Sequence, residues 1–470
     1  MTPLSALDAL FLHLETPATP MHVGSLHLLA PRQDARAYVA AVRHQLAQRL
    51  QLSPVFTRRL APMPLALANP VWVRADAVDL RAHVRHLRLP APGAFAQLEA
   101  TVARLHARRL DRDRPFWQLY VIEGLATGEL ALYTKVHHAT LDGAASVAFA
   151  RTLLDTTPQP RVVAPPAPPV GSEHPGSLAL VAAAVRATVG PALRAVRQLP
   201  QLARVLSALA AQAGPAAPRS GPRAAFHFAP RTPLNGTIGR ARTLATLSLP
   251  LPAVVRVADR HQVTVNDVVL ALVSGALRRH LAAGAGLPAE PMIAAVPVSL
   301  REAGNTEPTT LATMSRMTLA TDVADPLTRL AAIHAGAKKT KSLTRELRAV
   351  IPTDFPSLGM PWLLGAAAAL YGRARLADRI PPLANLVVSN FAGAGAPLYL
   401  AGAQLRTWWP LSIVEHGLGL NVTVQSYAGS LEFGIVAARD VLPDPAGFAQ
   451  AMREAFAELE PLRRRTTGSP

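Results

Sequence analysis

Leu130-Ala131-Leu132-Tyr133-Thr134-Lys135-Val136-His137-His138-Ala139-Thr140-Leu141-Asp142-Gly143 is the stretch on which the reading of this chain turns. Its first seven residues are a largely apolar run of strand length. Two histidines follow, and Asp142-Gly143 opens a helix-like stretch over 144–150. A strand end therefore holds the two imidazoles. A base at the mouth of a strand, with a carboxylate a few residues on, suits proton abstraction from a weakly acidic hydroxyl near neutral pH. As a metal site the same residues fit poorly, because neighbouring strand residues point to opposite faces and His137 and His138 would not converge on one ion. Two histidines hydrogen-bonded within a core are the structural alternative.

Working outward from the motif, strand-like runs over 23–30, 117–123 and 130–136 alternate with helix-like runs over 35–50 and 94–110, which predicts layered α/β architecture. Residues 156–171 carry six prolines, Pro158, Pro160, Pro165, Pro166, Pro168 and Pro169, a density that no helix or central strand tolerates. A second α/β pattern starts near Arg240. It has strands over 243–249, 292–298, 314–321, 384–390, 419–427 and 430–436, and helices over 251–260 and 265–280. Ala428-Gly429 joins the last two strands as a hairpin. The expected division is 1–157, a crossover over 158–239 and 240–470, with a substrate cleft between the two halves.

Composition narrows the partners. At 470 residues the chain exceeds a single ordinary core, and with half its residues hydrophobic it can bury two. A formal charge of +18 attracts anions such as a phosphorylated cofactor or acidic lipid head groups. Only 5% of residues are aromatic and none interleave with a basic run, so a nucleic-acid partner is not expected. The absence of cysteine excludes disulfides, thiolate metal sites and a Cys nucleophile. Met1 to Ser5 lacks the basic start and apolar core of a secretory signal, and the most apolar stretch, 359–371, is too short to span a bilayer. The expected location is cytoplasmic. Within 178–211, Arg186, Arg194, Arg197 and Arg204 punctuate an Ala/Leu/Val-rich sequence. This basic amphipathic segment either packs on the body or docks on an anionic lipid surface.

Other reaction signatures are missing. No Gly-x-Ser-x-Gly elbow, phosphate loop or His-Glu-x-x-His helix is present. Gly284-Ala285-Gly286-Leu287-Pro288-Ala289 matches a dinucleotide fingerprint only formally, since it follows a helix pattern and puts Pro where a helix should start.

His137-His138-Ala139-Thr140-Leu141-Asp142-Gly143 resembles the His-His-x-x-x-Asp-Gly motif of the bacterial wax ester synthase/acyl-CoA:diacylglycerol acyltransferases, relatives of chloramphenicol acetyltransferase and peptide-synthetase condensation domains. Further stretches carry the resemblance along nearly the whole chain. They are Pro3 to Asp8, Pro20-Met21-His22-Val23-Gly24, Asn266-Asp267-Val268-Val269-Leu270, Pro297 to Arg301, Val388-Ser389-Asn390, Pro397-Leu398-Tyr399 and Asn421 to Tyr427. The resemblance implies two chloramphenicol-acetyltransferase-like layered α/β domains joined by a crossover, with the active site between them. It implies acyl transfer from acyl-CoA to a long-chain alcohol or diacylglycerol, without metal or cofactor.

In that reading His138 is the general base and His137 supports it. Asp142 orients the motif by pairing with an arginine, for which Arg301 is the candidate. Asn266 is the candidate oxyanion donor, with a backbone N–H near Gly143 as a second, and Asp267 is structural; the structural alternative for Asn266-Asp267 is a helix N-cap, which is compatible with catalysis. Two departures from the family pattern are visible, Pro115-Phe116-Trp117 and the passage from Ser389-Asn390 into Phe391-Ala392-Gly393, and Pro115, Phe116, Trp117, Ser389 and Asn390 are the candidate substrate-tunnel residues. The alternatives are a condensation-type enzyme using an acyl carrier protein, and a non-catalytic lipid-droplet coat protein. The oligomeric state is left open by the sequence, a dimer included.

Overall fold

The computed structural model describes residues 2–4, 6–32, 34–61, 69–140, 149–164, 228–299, 312–347 and 361–460. Asp142, Gly143, Arg301 and the segment 178–211 lie outside the described residues.

The N-terminal half contributes β1 (Thr2–Pro3), β2 (His22–Leu29), β3 (Arg58–Ala61), β4 (Val71–Arg74), β5 (Val84–Arg88), β6 (Trp117–Glu123) and β7 (Leu130–His137). Beyond the crossover come β8 (Arg242–Pro250), β9 (Ile293–Ser299), β10 (Ala312–Thr318), β11 (Leu386–Phe391), β12 (Tyr399–Leu400), β13 (Ala403–Gln404), β14 (Trp409–Leu411), β15 (Leu420–Tyr427) and β16 (Ser430–Ala438). They build a five-stranded sheet of order β14-β2-β7-β6-β5 and a six-stranded sheet of order β10-β9-β11-β15-β16-β8, with a small β1-β4-β3 sheet beside them.

β7 is buried at every position, as a strand covered on both faces requires. Leu130, Leu132 and Val136 pack on one side with Val39, Val42 and Leu46 of the Ala35–Arg49 helix. Ala131 and Tyr133 face the other side, in a core that joins the Phe95–His106 helix to β8, β15, β16 and the Val265–Ala282 helix. Burial of this apolar face, at about 25 cal/mol per Å², holds the two halves together.

The edge strand of the N-terminal sheet comes from the C-terminal half. β14 pairs antiparallel with β2, Trp409 opposite Leu26, and its other side lies against β16. Gly434 of β16 makes this possible, since a Cβ there would stand 1.7 Å from the Pro410 carbonyl oxygen. The β12–β13 hairpin also docks on the N-terminal half. Tyr399 exchanges backbone hydrogen bonds with Asp155, Tyr38 donates to the Leu400 carbonyl, and Gln45 accepts from the Ala401 N–H. Asp155 in turn forms a fully buried ion pair with Arg49 at 2.9 Å.

The predicted hairpin turn holds in detail, with Ala428 and Gly429 both at positive φ, as a two-residue turn matching strand twist requires. The 359–371 stretch overlaps the helix Pro361–Arg373, which packs on the Ala6–Leu14 helix. Among the described residues no helix is long and apolar enough to cross a membrane.

Candidate active site

His137 ends β7 and His138 opens the short turn His138–Thr140. Three bonds shape this corner. The His138 N–H donates to the Met21 carbonyl at 2.9 Å, the His137 N–H to the Phe116 carbonyl at 3.0 Å, and Thr140 Oγ1 to the His137 carbonyl at 2.7 Å. The Pro20-Met21-His22-Val23-Gly24 stretch thereby acquires its meaning. Met21 anchors the turn, His22 sits directly opposite His137 in the β2–β7 ladder, and a Cβ at Gly24 would lie 2.4 Å from the Thr134 carbonyl oxygen.

The two imidazoles have different surroundings. His138 is half-buried and stacks on Phe11 of the Ala6–Leu14 helix, ring centroids 3.9 Å apart at 21°. Burial pushes its ring down to about 4; a hydrogen bond to its own backbone opposes this and the neighbouring His137 adds to it. The ring is therefore neutral at pH 7, one nitrogen carrying the proton and the other a lone pair able to accept one. His137 is 1% exposed, and its Nδ1 accepts the Ala139 N–H at 3.1 Å. That bond fixes the tautomer, so the proton sits on Nε2, which lies 3.6 Å from Glu15 Oε1.

Glu15 was not read from the sequence. Its carboxylate, 1% exposed, also accepts the Met21 N–H at 3.4 Å and pairs with Arg112 at 2.9 Å. Burial works to raise its carboxyl, but His137 and Arg112 outweigh it and hold the group below the ordinary carboxylate range. One residue thus ties His137, the anchor of His138, and the loop before β6. Behind it Lys135, fully buried, donates to the Leu105 and Arg108 carbonyls, and burial pushes its ammonium down to about 7.

The other candidates separate into buried and half-buried positions. Pro115, Phe116 and Trp117 are buried. Phe116 packs between Trp72 and His137, while Trp117 stacks on His83 and donates its indole N–H to the Phe56 carbonyl. Asn266 and Asn390 meet across the C-terminal half, Asn390 Nδ2 donating to Asn266 Oδ1 at 3.4 Å, and both are half-buried, as is Ser389. β9 and β11 pair only at Leu386–Ala294 and Val387–Ala295, so Ser389 and Asn390 lie where that ladder has ended.

The N-cap beside them is Thr264, neither Asn266 nor Asp267. Asp267 is the third helical residue and completes a capping box, accepting from the Thr264 N–H and Oγ1 at 2.9 and 2.8 Å. It also accepts from His334 at 2.8 Å, joining two helices. With Asn266 Oδ1 taken up by Asn390, no acceptor among the described residues takes its amide NH2, a group able to donate. No hydrogen bond among the described residues joins His138 to Asn266: the one follows the last residue of β7, the other lies in the first turn of the Val265–Ala282 helix. Among the described residues no group of three or more His, Asp or Glu is placed to hold a metal ion.

Comparison with known proteins agrees with this architecture. The wax ester synthase/diacylglycerol acyltransferase catalytic domain matches residues 4–269, and the C-terminal domain of the same family matches 312–460. A Mycobacterium tuberculosis protein named for diacylglycerol O-acyltransferase activity is 36% identical over 98% of this chain and 90% of its own length. A second from the same organism is 33% identical over 96% and 97%. The wax ester synthase/diacylglycerol acyltransferase of Marinobacter aquaeolei superposes with a TM-score of 0.69 at 32% identity, covering 98% of each chain. The first condensation domain of the calcium-dependent antibiotic synthetase, 16% identical with a TM-score of 0.56 over 97% and 95% of the two chains, shares the fold.

Proposed function

Because the chain belongs to the wax ester synthase/diacylglycerol acyltransferase family, we propose that it transfers a long-chain acyl group from acyl-CoA to a fatty alcohol and/or diacylglycerol. The observation that carries the mechanism is the neutral, half-buried ring of His138 at the end of β7.

The free nitrogen of His138 takes the proton from the acceptor hydroxyl as its oxygen attacks the thioester carbonyl carbon. The tetrahedral oxyanion accepts a hydrogen bond from the Asn266 amide, a donor worth roughly 3 kcal/mol of barrier. Collapse breaks the C–S bond, and protonated His138 returns its proton to the CoA thiolate. The ester and free CoA leave with atoms in balance. No acyl-enzyme, metal or cofactor takes part. Glu15 and His137 keep His138 in place, and Asp142 and Arg301 are assigned the second support of the motif.

Purified protein given palmitoyl-CoA with hexadecanol or dioleoylglycerol should release CoA, and His138→Ala should abolish release. Unchanged release in that variant removes His138 from the mechanism. Turnover of acyl-carrier protein but not acyl-CoA would favour the condensation-type alternative.

The same reading places the protein on the cytoplasmic face of an anionic membrane or lipid droplet. The charge of +18 and the basic segment 178–211 support this. Deleting 178–211 should abolish binding to phosphatidylglycerol vesicles, and normal binding would refute the membrane role.

A further inference from the structure

A cavity of about 330 Å³ opens beside the small β1-β4-β3 sheet, with Gln51, Thr57, Arg58, Trp72 and Arg74 in its lining. Arg58 and Arg74 stand directly opposite one another in the antiparallel β3–β4 ladder, and so project to the same face. Like charges in that relationship repel, and strands normally avoid it unless something neutralises the pair. Neither guanidinium has a carboxylate within ion-pair distance among the described residues. Arg58 is half-buried and Arg74 exposed, so both reach the cavity from its rim.

The same strand face continues inward to Leu60 and Trp72, which pack with Phe116, Leu12 and Ala139 in the cluster beneath the His138 turn. From the Trp72 ring to the Phe116 ring is 5.8 Å, and from there to His137 is 4.9 Å. The cavity therefore shares its Trp72 wall with the cluster that packs beneath the His138 turn, and two cations without a carboxylate partner among the described residues stand at its mouth.

We propose that this cavity binds the phosphate groups of the acyl donor, with Arg58 and Arg74 as the paired cations. The inference rests on the reading of the donor as acyl-CoA. Guanidinium groups suit it because each presents a planar fork of N–H donors to phosphate oxygens. A bound phosphate would also relieve the repulsion across the ladder.

The test compares palmitoyl-CoA with S-palmitoyl-pantetheine, which has the thioester but no phosphate. The double variant Arg58→Gln/Arg74→Gln should raise KM for palmitoyl-CoA about tenfold, with kcat unchanged and no effect on the pantetheine thioester. Arg58→Lys/Arg74→Lys keeps the charge, guards against misfolding and should restore most of the difference. An unchanged KM for palmitoyl-CoA in a folded double variant overturns the assignment. So does loss of phosphatidylglycerol-vesicle binding with unaltered titration of CoA, which would make lipid head groups the ligand. Should wild-type protein turn over no acyl-CoA, the proposed function falls, while calorimetric titration of CoA into wild type and double variant still decides the cavity.

Discussion

Glu15 Oε1 lies 3.6 Å from Nε2 of His137, and both side chains are 1% exposed. The two residues are 122 positions apart in sequence, and the contact connects the end of the first helix to the motif that carries the chemistry. A buried carboxylate that holds one imidazole and, through Met21, anchors the next is a positioning device. Glu15→Gln keeps the shape and removes the charge. It should lower kcat about tenfold, the scale seen when a supporting partner is lost, with KM unchanged. Because it leaves Arg112 half-exposed rather than sealed, the stability cost in a urea melt should be about 2 kcal/mol, below that of a fully buried pair. Glu15→Asp should recover part of kcat, and full activity in Glu15→Gln would end the positioning role.

Phe11 stacks face to face on His138 and shields it from water. Phe11→Ala should remove about 1 kcal/mol of ring contact and slow turnover roughly fivefold. It should also move the acid limb of the kcat/KM profile up from about pH 4 toward 6.5, because the ring regains hydration. A profile identical to wild type would show that Phe11 does not set the environment of His138.

Asn266 and Asp267 are adjacent, yet their substitution should have opposite signatures. Asp267→Ala removes the capping box and the His334 bond, at a cost of about 2 kcal/mol in thermal or chemical melts and with kcat of the folded fraction kept. Asn266→Ala should leave the melt nearly unchanged and reduce kcat by about 100-fold, the effect of losing one oxyanion donor. Exchange of these phenotypes would reverse the assigned roles.

Stability should fall in mild acid. Burial holds His22, His27, His83, His106, His138 and His416 below their ordinary 6.5, with His27 and His138 at about 4 and His106 at about 3. Between pH 6.5 and 4 the unfolded chain binds protons at these rings that the folded protein does not, so unfolding becomes easier as pH drops. Glu99 and Glu432, raised to about 7 by burial, act the other way. They are protonated in the fold while still ionised in the unfolded chain above 4.5, and so add stability as pH falls from 7. The histidines are more numerous, and Tm should decline from pH 6.5 to 4.5. A Tm that rises across that window would mean the rings are protonated in the folded state.

Much of the strand framework was legible because both patterns have short periods. The run over 117–123 is β6 residue for residue, and the helix over 251–260 coincides with Leu251–Arg260. Ala428-Gly429 declared its turn through chain geometry alone. The histidine pair was legible for the same reason: strand, pair and turn are contiguous. Phe11 and Glu15 were not, since an aromatic and a carboxylate on a short helix carry no local sign of what they will face. A signal was available in Glu15, an acid at the end of an apolar helix with no basic neighbour at helical spacing. Asn266 and Asp267 also suit a helix cap by residue type, since Asn and Asp are favoured there, and only backbone geometry identifies Thr264 as the cap.

Sequence alone determined the layered α/β alternation, the strand-end position of His137 and His138, and the family to which these motifs belong, because each depends on residues close together in the chain. Tertiary structure alone decided that β14 crosses to the N-terminal sheet, that Asn266 meets Asn390, that Glu15 secures the histidine pair, and that Arg58 faces Arg74. Those relationships join residues separated by between 16 and several hundred positions. They exist only once burial of the shared core brings the two halves into register, and no local pattern encodes which distant partner that burial will select.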